Sequence, residues 1–107
     1  MSSRKIKMDC YVAKGINVSC RTINGEAFIF DHNTRLLLKL DEVGSFIWDQ
    51  IDGEKTLKQI SEICCQTFMG NKEEIQLSIQ DFIDDLYSKN VVVLSAKPIQ
   101  EEVAIVY

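Results

Sequence analysis

The sequence predicts an α+β domain in which a three-stranded antiparallel sheet comes first and three helices follow. Three observations carry this. Asn24-Gly25 sits between two alternating apolar segments, Thr34 to Leu40 supplies a third, and from Asp41 onward the apolar spacing changes from two residues to three and four.

Ile16, Val18, Cys20 and Thr22 alternate before the turn, and Ala27 to Phe30 continue the pattern after it. Asn-Gly readily adopts the two positive φ angles of a type I′ turn, so the pair reads as a hairpin. Asp31-His32-Asn33 is a second turn leading into Thr34–Leu40, where Leu36, Leu38 and Leu40 share one face and Arg35, Leu37 and Lys39 the other. No later strand in this run can pair with that third strand, so its far edge is read as open, a place for an extended peptide to add.

Asp41 is a good N-cap, Glu42 suits the positive end of a helix, and Val43, Phe46, Ile47 and Ile51 follow at helical spacing until Asp52-Gly53. Gly44 within this helix costs about 1 kcal/mol against alanine, which points to a backbone or ring packed close to it. Thr56 and Gln59 form a capping box for a second helix, with Leu57, Ile60, Cys64 and Phe68 as its inward stripe. Met69-Gly70 ends it. Asn71 caps a third helix with Ile75, Ile79, Phe82, Ile83 and Leu86 turned inward, and Val91 to Leu94 is a short strand or extended end. The domain proper is read as 16–94, with a flexible N-terminal segment over 1–15. A β-prone tail over 95–107 could pair with a sheet edge in its own chain or in a second copy, making a homodimer.

A chain of 107 residues can build one modest core. No stretch approaches the roughly 20 apolar residues of a membrane span and the N-terminus lacks an apolar signal core, so the reading is cytoplasmic with no membrane partner. The four cysteines lack metal or Cys-x-x-Cys spacing and read as reduced thiols, with no metal and no cofactor. Residues 1–40 hold seven Lys/Arg against three Asp/Glu, and residues 41–90 four against eleven, so the strand half is basic and the helical half acidic. His32 lies in a turn with no nucleophile at a recognisable spacing, and no catalytic residue is assigned.

Leu40-Asp41-Glu42-Val43-Gly44-Ser45-Phe46-Ile47-Trp48, then Asp52-Gly53-Glu54-Lys55-Thr56 and the acidic helix from Glu73 to Leu86, resemble the PqqD family. These are small proteins of pyrroloquinoline quinone biosynthesis, with relatives that recognise the leaders of ribosomally made, modified peptides. The resemblance spans about Val18 to Leu94. It implies a winged-helix-like domain without catalysis of its own, which binds a precursor's leader as an added strand and delivers it to a modifying enzyme, of the radical S-adenosylmethionine type. Carried to these positions, the groove comprises Thr34, Arg35, Leu36, Leu37, Leu38 and Lys39 on the strand, and Ile75, Ile79 and Phe82 on the third helix. The rival reading is a winged-helix DNA-binding regulator. Against it, and against a nucleic-acid partner generally, Glu73 to Leu86 carries no Lys or Arg, whereas phosphate contacts dominate affinity for DNA.

Overall fold

The structure, a computed structural model, describes residues 7–98. Its elements are β1 (Tyr11–Lys14), β2 (Val18–Ile23), β3 (Glu26–Asp31), β4 (Leu36–Lys39), α1 (Glu42–Gln50), α2 (Leu57–Thr67), α3 (Lys72–Ser88) and β5 (Val92–Ser95). The chain is α+β with three successive helices, as the sequence predicts. Its sheet structure is richer than predicted: β2-β3-β4 form the antiparallel meander, and β1 and β5 pair separately as a two-stranded antiparallel sheet. A flexible segment over 1–15 therefore does not describe Tyr11–Lys14, where Val12 is fully buried. Four residues are too few to establish a period, and the partner strand lies some eighty residues away. The tail beyond residue 98, with its predicted pairing and homodimer, lies outside the described residues.

The hairpin is built as its sequence requires. Asn24 and Gly25 take φ of 54° and 82°, and Ile23 pairs with Glu26 across the turn. The next turn is longer than predicted. Asp31 accepts from the Asn33 N–H at 3.0 Å and from the Thr34 hydroxyl at 2.9 Å, the Arg35 N–H donates to the Asp31 carbonyl at 2.7 Å, and Arg35 sits at φ 64°. Thr34 and Arg35 thus belong to the turn, and β4 begins at Leu36.

All three helix starts carry the caps their sequences indicate. The Asp41 carboxylate accepts from the Gly44 N–H at 2.8 Å, Thr56 and Gln59 close their reciprocal box, and Asn71 accepts from the Glu73 and Glu74 N–H groups. At the end of α3, Asn90 adopts φ 61°, the Val91 N–H reaches the Leu86 carbonyl and the Asn90 N–H that of Tyr87. This Schellman arrangement turns the chain sharply into β5, with Leu86 and Val91 both buried at the contact.

The core joins Val12 of β1 and Ile29 of β3 to Ile47 and Trp48 of α1, Leu57 and Ile60 of α2, Ile79, Ile83 and Leu86 of α3, and Val92 of β5. Trp48 is 1% exposed, so the helix-centre tryptophan is a core residue, with Lys14 Nζ 5.0 Å from its ring centroid. Among the described residues no helix is long and apolar enough to cross a membrane.

Candidate functional site

β4 is an edge strand, bonded to β3 on one side only among the described residues. Its hydrogen-bond phase follows from its register. Phe28 lies opposite Lys39, Ile29 opposite Leu38, Phe30 opposite Leu37 and Asp31 opposite Leu36, while the Leu40 N–H donates to the Ala27 carbonyl at 2.8 Å. In an antiparallel ladder the bonded pairs alternate, so Leu36, Leu38 and Leu40 turn their main-chain groups toward β3. Leu37 and Lys39 turn theirs outward. Side-chain alternation adds that Leu36 and Leu38 are half-buried on the core face while Leu37 is 61% exposed on the other.

Ser45 fixes this edge to the helices. Its buried hydroxyl accepts from the Ala27 N–H at 2.7 Å and donates to the Leu40 carbonyl at 3.3 Å, filling the place where those two groups would otherwise meet at the ladder's end. On the outer face Lys39 Nζ lies 3.3 Å from Glu26 Oε1 and 6.0 Å from the Phe28 ring centroid. The exposed residues of the outer face on β2 and β4 include Arg21, Leu37 and Lys39, so basic and apolar groups share it.

The nine residues predicted for a groove fall into separate environments. Leu36 to Lys39 form the edge, whereas Thr34 and Arg35 shape the turn before it. Phe82 is half-buried, and its Cε1 stands against Gly44. Ile75 and Ile79 line a cleft of about 360 Å³ with Val43 and Ile47 of α1 and Phe68 and Met69 at the end of α2. Ile79 is 1% exposed and acts chiefly as core. Sequence reasoning missed Val43, which the helical period marks as inward but which is 48% exposed beside that cleft. A second cleft, of about 760 Å³, lies at the other end of β4, where Thr34, Asn33 and Asp31 meet the C-terminal end of α3 at Tyr87 and the strand residues Val92 and Val93. It too went unread, because Asp31 and Asn33 look like ordinary turn residues.

Reactive groups are few. His32 Nε2 lies 2.5 Å from the Ser19 hydroxyl, a partner that sequence spacing does not indicate, and its ring meets Phe30 edge-on. Both residues are exposed, and among the described residues no carboxylate is hydrogen-bonded to the His32 ring to orient it as a general base. Burial, aided by the neighbouring Cys65, pushes the Cys64 thiol up to about 11, which keeps it protonated. The described cysteines are unpaired thiols, and no cluster of His, Cys, Asp or Glu among the described residues could hold a metal ion.

A family model described as coenzyme PQQ synthesis protein D (PqqD) matches residues 26–92, which run from β3 through all three helices to the start of β5. Among solved structures, "TbiB1 in Complex with the TbiA(beta) Leader Peptide" is similar in fold, with a TM-score of 0.71 and 22% identity over 75% of this chain and 93% of that one. No curated protein matches the chain.

Proposed function

The chain belongs to the PqqD family, and from that premise we propose that it is a non-catalytic peptide-binding protein that captures the leader of a ribosomally made precursor and presents it to a separate modifying enzyme. The observation that carries the reading is the phase of β4. Leu37 and Lys39 point their main-chain donors and acceptors away from β3, on a strand whose other edge is paired with it, which is what strand addition needs. A leader laid along Leu36–Lys39 has Asp31 and Tyr87 beyond one end of the strand, and the cleft of Val43, Ile75 and Phe68 beyond the other. Phe82 supplies apolar contact from α3. The similarity in fold to a protein solved with a leader peptide supports the same reading. The modifying enzyme is of the radical S-adenosylmethionine type in this proposal, and the domain is winged-helix-like in its strand and helix order.

The test is Leu37→Pro. The lost N–H is one that β3 does not use, and edge strands tolerate proline, so the variant is expected to fold. Its affinity for a cognate leader, measured by calorimetry against the wild type, is expected to fall at least about tenfold, since a main-chain bond and the local backbone geometry are lost together. Unchanged binding by the folded variant would remove the strand-edge reading. A gel shift at low salt with duplex DNA is expected to be negative, because α3 has one cation, Lys72, against five acidic residues.

A further inference from the structure

We infer that the larger cleft, at the start of β4, is a subsite for one cationic side chain of the bound peptide, Lys or Arg, with Asp31 as its counter-charge; this rests on the strand-edge reading above. Asp31 is 3% exposed, and among the described residues it forms no ion pair: its two oxygens accept only the Asn33 N–H and the Thr34 hydroxyl. A charged side chain buried to that degree is ordinarily paired. Each oxygen retains acceptor capacity.

The surroundings favour the same sign of charge. Among the described residues no Lys, Arg or His lines the cleft. α3 delivers its C-terminal end there through Tyr87, Ser88 and Asn90, and the negative pole of a helix attracts cations. Lys89, the basic residue in the cap of that helix end, is engaged by Asp85 at 2.6 Å. Tyr87 lines the cleft and is 49% exposed, and an aromatic ring there can attract an ammonium or guanidinium. Carboxylate, helix terminus and aromatic ring are three independent features selecting a cation, and Thr34 makes the cleft continuous with the strand edge. A peptide paired along Leu36–Lys39 that continues past Leu36 runs into it.

The experiment starts from a display library of random peptides of roughly 20 residues, long enough for a strand and its flanks, selected on the folded wild-type protein. Binders are expected to carry Lys or Arg at a fixed distance from an alternating apolar segment. Replacing that residue with a neutral isostere is expected to weaken calorimetric binding about tenfold in the wild type, and about twofold or less in Asp31→Asn. Tyr87→Ala leaves the turn bonds of Asp31 intact, so it serves if Asp31→Asn does not fold; it too is expected to shrink the penalty. Binders that depend on Leu37 but show no fixed basic position, or a full penalty surviving in both variants, overturn the cation subsite and leave the strand-edge reading standing. Failure to select any peptide that competes at the edge overturns both.

Discussion

The Cε1 atom of Phe82 stands 3.3 Å from the point that a Cβ on Gly44 would occupy, with Asp41 Oδ1 at 3.2 Å and Leu40 Cβ at 3.4 Å. The ring from α3 thus packs directly on the backbone of α1 at its first turn. A glycine in a helix, unfavourable locally, is explained by this contact between two elements.

Gly44→Ala is accordingly expected to destabilise the domain. Alanine gains about 1 kcal/mol in helix propensity, but the new methyl presses on Phe82, Leu40 and the capping carboxylate at once, and overpacking of this kind costs about 1–3 kcal/mol. A net loss of about 1 kcal/mol lowers the melting temperature by roughly 4–8 °C for a domain of this size. Calorimetric melting checks it, and a higher melting temperature would show that Phe82 moves aside freely.

Ser45→Ala tests the joint between sheet and helix. Removing the hydroxyl leaves the buried Ala27 N–H without an acceptor, because the Leu40 carbonyl lies on the far side of the missing oxygen. The loss expected from chemical denaturation is about 1–3 kcal/mol. Amide exchange at Ala27 and Leu40 should quicken more than exchange at Ser19 to Arg21, across the sheet.

Local signals in the sequence were specific where the chemistry is local. Asn24-Gly25, Asp41, Thr56 with Gln59, and Asn71 each satisfy nearby backbone groups, and each stands where its residue type predicts. Gly44 announced a close contact without naming Phe82, since the partner lies 38 residues on in another helix. The β1–β5 pairing was illegible for the same reason: Tyr11–Lys14 carries too little pattern to stand alone. At the site, the leucines of β4 declared their alternation, but the burial of Asp31 beside Tyr87 depends on where α3 ends in space. No run of residues in either segment records that.

Thiol reactivity should follow burial. Cys20 is exposed and Cys64 buried, so a maleimide at neutral pH is expected to label Cys20 first and Cys64 only after denaturant is added. Stability carries the matching signature. The folded chain holds the Cys64 proton up to about 11 against an ordinary 9.0, so this contribution is fully present below 9.0 and declines as pH rises from there to about 11. Cys64→Ala should flatten that part of the pH profile, and an unflattened profile would assign the decline to other groups.

The proposed escort role makes a kinetic prediction. If the domain supplies binding and no catalytic group, it acts by raising the local concentration of the attached core peptide at the enzyme, to millimolar order for a short flexible connection. Omitting it should depress turnover of leader-bearing precursor when that precursor is dilute, and the deficit should narrow as precursor approaches millimolar concentration. Fusing the leader covalently to the modifying enzyme should largely restore turnover without this protein. His32→Ala should leave all of these rates unchanged, because among the described residues no carboxylate is bonded to the Ser19–His32 pair to orient it. Product formed by this chain alone, and lost in His32→Ala, would show instead that the exposed pair is a catalytic centre.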